Sequence, residues 1–141
     1  MSSGAEDQVD LPTISLDPTF LGALGRTLDE KILAQYHATD TAINQIYQPA
    51  AGVKAVIKSI IISNSDASTQ NYAVYLDKDG GVSPTFDETT SLIPNGDILA
   101  EEAALINPLF WPMTENDALA FEASVANKVT ITVFGVEITE S

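Results

Sequence analysis

The sequence predicts an all-β protein: an antiparallel β-sandwich, of the jelly-roll or immunoglobulin-like type, that follows an extended N-terminal arm with one short helix. Short apolar segments recur between turn signals at the spacing of sandwich strands. Helical segments do not alternate with them, which excludes a parallel sheet built from strand–helix–strand units. The stretch from Val56 to Ile62 is apolar on both alternating faces, so each face of this strand needs a cover.

We divide the 141 residues into an arm, residues 1–30, and a β-sandwich domain, residues 31–141. The arm is acidic, and its prolines favour extended backbone at the residues before them. Its apolar residues are the expected partner contacts: Leu11, Ile14, Leu16, Phe20 and Leu21. A frayed terminus is the alternative interpretation. The apolar spacing over Thr19–Glu30 predicts a short helix, although Gly22 and Gly25 each cost it about 1 kcal/mol.

From Lys31 onward the pattern predicts about seven or eight strands separated by turns. Asp77–Gly81 is typical of a hairpin connection, and Thr114–Asp117 predicts a tight turn. A further turn at Pro94–Gly96 would divide its surroundings into two short strands. Pro112, which follows Trp111, argues against a central strand position there.

Residue types that carry catalysis are scarce, and we assign no catalytic, cofactor-binding or metal-binding residues. The chain has no cysteine and a single histidine, His37. No serine lies in a nucleophile-elbow sequence that could use this histidine, so we expect no enzyme activity. Asp77–Gly81 begins like a calcium loop but lacks the later oxygen ligands at the required spacing. Calcium binding near Asp77–Asp79 is therefore the weaker alternative to a hairpin.

The net charge of −14 comes from 20 acidic against six basic residues, and the basic residues are dispersed. Clustered bases that neutralise phosphates are missing, so we expect no direct nucleic-acid partner. The acidity fits solubility, a saline habitat or a basic partner surface. No apolar run approaches the roughly 18 residues of a membrane span, and the polar N-terminus lacks signal-peptide features. We therefore expect synthesis in the cytoplasm.

Aromatic residues offer one alternative function. The four tyrosines and Trp111 could form a sugar-stacking platform, as in a carbohydrate-binding module. Such rings at alternating strand positions more often lie in the core or in a subunit contact. Trp111 therefore joins the arm residues as an expected partner contact, with glycan binding as the alternative.

Several motifs together resemble a known group of proteins. They are the YQPA sequence at Tyr47–Ala50, Ser63-Asn64 at the end of an apolar strand, the following YAVYL strand, and FGVEI at Phe134–Ile138. In this order they resemble the small β-sandwich virion proteins of tailed bacteriophages. The resemblance covers Lys31–Thr139. Two features depart from it: Asn116-Asp117 replaces the usual Gly-Asp of the acidic turn, and the arm has no counterpart.

The resemblance implies a structural virion protein made in the host cytoplasm. Members of the group are capsid decoration (cement) proteins, neck components, and baseplate or fibre proteins. We expect a decoration protein on the capsid exterior that binds the major capsid protein and copies of itself, as a homotrimer at three-fold positions. A tail, neck or baseplate adaptor is the first alternative, and a carbohydrate-binding module is the second.

Overall fold

Nine antiparallel β-strands build the part of the chain that the computed structural model describes, residues 25–140. They are β1 (Arg26–His37), β2 (Asn44–Tyr47), β3 (Val53–Asn64), β4 (Gln70–Asp77), β5 (Ser91–Ile98), β6 (Ala103–Ile106), β7 (Trp111–Met113), β8 (Ala118–Ala123) and β9 (Val129–Glu140). The predicted all-β, antiparallel class is therefore confirmed. No helix within these residues is long and apolar enough to cross a membrane.

The strands form two sheets that enclose one main core. The five-stranded sheet has the order β1-β9-β3-β6, with β7 paired to β3 alongside β6, and the four-stranded sheet has the order β2-β8-β4-β5. Both sheets contribute fully buried residues to the core, among them Ile57, Ile60, Ile62, Val74, Leu119, Phe121, Val129, Ile131 and Val133. The apolar face of each sheet thus covers the other, as in a sandwich.

The arm and its helix are only partly described. The prediction of a helix over Thr19–Glu30 is wrong for residues 26–30, because these residues form the start of β1. Leu28 pairs with Ile138 of β9 in this ladder, and the pairing outweighs a weak helical pattern that contained two glycines. The earlier residues lie outside the described part of the chain. The division of the arm from the sandwich at residue 30 stays a prediction, although β1 begins at Arg26.

Two β-bulges face each other across β9. In β1 the register skips Leu33 opposite the Val133–Phe134 step, and in β3 it skips Lys58 opposite the Phe134–Gly135 step. A Cβ atom at Gly135 would overlap the carbonyl oxygen of Val56 and lie 2.7 Å from Cδ1 of Leu33. Only glycine fits there, so Gly135 allows the two bulged strands to approach β9 closely.

The turn predicted at Pro94–Gly96 is wrong, because β5 continues through it. Tyr72 of β4 pairs with Gly96, whereas Val74 pairs with Ile93, so Pro94 and Asn95 form a bulge within the strand. Among the described strands β5 pairs only with β4, and an edge strand tolerates a proline that cannot donate a ladder hydrogen bond.

Candidate interaction surface

The five-stranded sheet has one face toward the core and one face turned away from it, which we call the outer face. Alternating residues of β1, β9 and β3 supply the outer face: Leu28 pairs with Ile138, and Val136 pairs with Glu30 and with Val56. Because neighbouring strands are aligned in register, the outward side chains of these three strands form continuous rows across the sheet.

An open, largely apolar groove occupies the half of the outer face nearest the start of β1. Its lining residues are Leu28, Glu30, Val56, Lys58, Phe110, Val136 and Ile138, and we call it the apolar groove. Val136 is 4% exposed at its floor, whereas Phe110 is 72% exposed at its rim. Ile32, half exposed, extends the apolar surface toward Phe134. Contiguous exposed apolar surface of this kind marks contact sites, whereas scattered single residues do not.

The other half of the outer face is more polar. Gln35 donates a hydrogen bond to Thr132 over 3.1 Å, from Nε2 to Oγ1. Nδ1 of His37 and Oγ1 of Thr130 are 2.8 Å apart and form a second exposed pair. These cross-strand pairs suit a solvated surface, so the apolar character of the outer face is concentrated in the groove. The only histidine of the chain belongs to this solvated half.

Two opposite charges flank the floor of the groove. Glu30 on β1 and Lys58 on β3 lie on opposite sides of β9: Glu30 pairs with Val136, whereas Lys58 is the bulge residue opposite the Phe134–Gly135 step. Their strands are two strand spacings apart, or about 10 Å. Neither takes part in an ion pair among residues 25–140, where the acid–base pairs join Arg26 to Glu140, Lys31 to Asp29 and Glu137, and Lys78 to Asp117.

The geometry of β3 answers part of the question raised by its sequence. Ile57, Ile60 and Ile62 are fully buried between the sheets, so the four-stranded sheet covers their face of the strand. Val56 and Ile61 point to the outer face, and no strand among residues 25–140 packs over them. The outer side of β3 also carries Lys58 and Ser59, so this face is apolar only in part, and within residues 25–140 it is open.

A polar clip joins the two sheets on the opposite side of β9 from the groove. Oη of Tyr47 on β2 donates a hydrogen bond to Oε2 of Glu137 on β9 over 2.6 Å, and Nζ of Lys31 donates to Oε1 over 3.0 Å. The hydrogen bond from Tyr47, assisted by Lys31, lowers the pKa of Glu137. Burial and the same carboxylate raise the pKa of Tyr47. The carboxylate is satisfied by these partners, so the clip is structural.

The acidic turn predicted at Thr114–Asp117 is present and carries a fully buried carboxylate. Asp117 is 0% exposed. Its Oδ2 accepts hydrogen bonds from the backbone N–H of Thr114 over 2.7 Å and from Nζ of Lys78 over 2.9 Å, and its Oδ1 accepts one from the N–H of Asp79 over 2.8 Å. Burial alone would raise the pKa of this carboxyl, but these donors lower it.

The first aspartate of the candidate calcium loop has a protein partner. Asp77 accepts a hydrogen bond from the N–H of Thr85 over 2.6 Å. Asp79 adopts a left-handed backbone with φ of 65°, which is typical of a turn. No group of three or more acidic or histidine side chains suited to a metal occurs among residues 25–140. The strands β4 and β5 pair as a hairpin, but residues 78–90 connect them as a long loop.

The residues predicted as partner contacts fall in two places. Trp111 lies in β7, opposite Ile57 of β3, and its partly buried side chain packs against the core. It therefore lies apart from the apolar groove, whose aromatic residue is the preceding Phe110. Leu11, Ile14, Leu16, Phe20 and Leu21 lie outside the described residues. A partner contact by any of these six stays a prediction.

The groove has no signature in the sequence. Its residues come from β1, β3 and β9 and from the segment before β7, and no short motif joins them. The alternation of Val136 and Ile138 with polar residues along β9 can be read from the sequence. The register that places Leu28 beside Ile138, and Val136 beside Val56, cannot be read from it.

Comparisons with known proteins give distant likenesses. No family model matches the chain, and no curated protein matches it. The solved structures similar to it include a chain of the infectious bursal disease virus particle (11% identity, TM-score 0.49, 92% of this chain and 35% of that one). They also include a Bacillus endospore appendage pilus protein (14%, 0.47, 82% and 89%) and the tobacco streak virus coat protein (10%, 0.40, 82% and 87%).

These likenesses are too distant to assign a function. This chain spans about a third of the length of the matched bursal disease virus chain. Each of the three TM-scores is below 0.5, so the fold assignment above depends on the strands and registers of this chain alone.

Proposed function

We propose that the protein is a structural subunit of a virus particle, a capsid decoration (cement) protein of a tailed bacteriophage that lies on the capsid exterior. The observation that carries this proposal is the apolar groove on the outer face of an otherwise acidic sandwich. Such a surface is suited to binding another protein. The resemblance of Lys31–Thr139 to small phage virion proteins supplies the kind of particle.

Two kinds of contact follow from this role. The N-terminal segment, with Leu11, Ile14 and Leu16 as anchors, attaches the protein to the major capsid protein. The outer face contacts copies of the protein itself, for which the sequence analysis predicts a homotrimer. Burial of a large apolar side chain contributes about 1.5–3 kcal/mol, so several anchors together offset the cost of ordering an extended segment.

The number of copies per particle tests this function. Quantitative mass spectrometry of purified particles should find hundreds of copies, because decoration follows the capsid lattice. A small number of copies, together with density at the neck or tail, would instead identify the tail, neck or baseplate adaptor. Absence from particles would contradict both functions. A glycan array with wild-type protein and Trp111→Ala then tests the carbohydrate-binding alternative.

The attachment through the N-terminal segment has its own test. Replacing Leu11, Ile14 and Leu16 together with Ser should detach the protein from particles at any salt concentration. The wild-type protein should stay attached in moderate salt, because apolar contacts are not screened and the repulsion between acidic copies weakens. Release of the wild type by salt alone would show an ionic attachment. Full retention of the triple variant would show that the segment is not the anchor.

A further inference from the structure

We infer that the apolar groove binds the same groove of a second copy, so that two chains form a two-fold dimer through the outer faces of their five-stranded sheets. This inference rests on the proposed function only for the expectation that copies contact one another. It adds that the groove is the centre of the contact, which charges align it, and a two-fold symmetry that replaces the expected homotrimer.

The charges of the groove are self-complementary. Glu30 and Lys58 line the groove on opposite sides of β9 and have no ion-pair partner among residues 25–140. Consider two grooves facing each other about a two-fold axis parallel to β9. The axis exchanges the β1 side of one copy with the β3 side of the other, so each Glu30 faces the other copy's Lys58. An isologous contact makes every such pair twice.

The same charges select this axis over another. A two-fold axis perpendicular to the strands keeps β1 opposite β1, and Glu30 would then face Glu30. Like charges placed opposite each other weaken an interface, whereas opposite charges fix its register. The pattern therefore favours two sheets whose strands run in nearly the same direction, which is the aligned packing of β-sheets at about 10 Å.

The extent of the outer face is adequate for a dimer. Three long strands and the row that β6 and β7 share, spaced by about 4.8 Å over about nine residues, present roughly 500 Å² in projection. Two such faces cover on the order of 1,000 Å², the lower bound of a specific interface. Phe110, 72% exposed at the rim of the groove, is the aromatic residue best placed to anchor it, since aromatic side chains dominate such contacts.

Charge-swap mixing tests the inference on the full chain. Lys58→Glu leaves two acidic groups at each groove, and Glu30→Lys leaves two basic groups. Each variant alone should dimerise about tenfold more weakly than wild type in sedimentation equilibrium. An equimolar mixture of the two should recover dimers, because the two acidic groups of one variant then face the two basic groups of the other. Native mass spectrometry should identify these dimers as mixed.

The matched controls make the same two kinds of charge change at positions outside the groove. Lys128→Glu and Glu88→Lys are exposed substitutions outside the groove, and each should dimerise like wild type. A wild type that is monomeric or trimeric at micromolar concentration would overturn the inference. So would single variants that dimerise normally, or a mixture that recovers no dimer, since either result shows that Glu30 and Lys58 do not pair across the contact between copies. Copy number per particle is independent of these results, so failure of the dimer and failure of the proposed function are distinguishable.

Discussion

Nζ of Lys78 lies 2.9 Å from Oδ2 of Asp117, a carboxylate that is fully buried although the lysine is half exposed. The same carboxylate accepts backbone hydrogen bonds from Thr114 and Asp79. Asp117 thus ties the loop after β4 to the turn between β7 and β8. A buried carboxylate is tolerated only when such donors compensate for its lost hydration.

Removal of the carboxylate should be strongly destabilising. We expect Asp117→Ala to lower the free energy of unfolding by about 3 kcal/mol, because it leaves buried N–H groups without acceptors. Lys78→Met should cost about 1 kcal/mol or less, since its partner keeps the backbone donors and the lysine is half exposed. Urea denaturation measures both. Equal losses in the two variants would show that the ion pair matters more than the backbone hydrogen bonds.

Acid should destabilise the fold through two carboxylates. The pKa of Asp117 is lowered from 3.8 and that of Glu137 is lowered from 4.5. A group with a depressed folded-state pKa contributes stability above its unfolded pKa, and this contribution is lost as pH falls through the folded value. Thermal melts should therefore show a steady midpoint above about pH 5.5 and a falling one below about pH 4.5.

A carboxylate-free variant checks the cause of that acid sensitivity. Asp117→Asn should start less stable at pH 7 and should lose less stability than wild type between about pH 5 and about pH 3. The physical reason is that an amide has no proton to gain in this range. A wild type and variant with parallel pH profiles would exclude Asp117 as a source of the pH dependence.

Gly135 should be the most sensitive glycine of the sheet. Ala at this position would push a Cβ atom into the Val56 carbonyl oxygen and against Leu33, and we expect a loss of about 2–3 kcal/mol. Gly52→Ala is the matched comparison, because Gly52 has φ of 79° and open space around it. It should cost only about 1–2 kcal/mol from backbone strain. Equal costs in denaturant titrations would show that the bulges of β1 and β3 relax around the new methyl group.

The fold class could be predicted because strand signals in this sequence are local. Alternation in β4 and β9, and the two-faced run from Val56 to Ile62, indicate strands without any knowledge of their partners. The prediction of two short strands in place of β5 is wrong, because Pro94 and Gly96 signal a turn wherever they occur. The decisive fact was its edge position beside β4, which depends on the tertiary fold.

The residues of the candidate surface could not be predicted, because the register of strand pairing determines which side chains share a face. The bulges at Leu33 and Lys58 shift which residues of β1 and β3 point outward, and neither bulge has a local sequence signal. Only with the bulge in β3 does Lys58 join Val56 on the groove side, across β9 from Glu30. The sequence analysis therefore predicted that a second apolar face needs a cover, but not which side chains form that face.

The most direct measurement of the central claim is the number of copies that an outer-face variant leaves on particles. Ile32→Ser with Phe110→Ser removes exposed apolar side chains of the outer face, while Val82→Ser with Leu92→Ser changes exposed apolar residues elsewhere. Each is mixed in equal amount with wild-type protein, and both forms are counted on purified particles by mass spectrometry. We predict at least a roughly tenfold depletion of the outer-face variant, since loss of contacts between copies removes their mutual reinforcement, and no depletion of the control. Equal retention of the outer-face variant and the wild type would contradict a structural role for this surface.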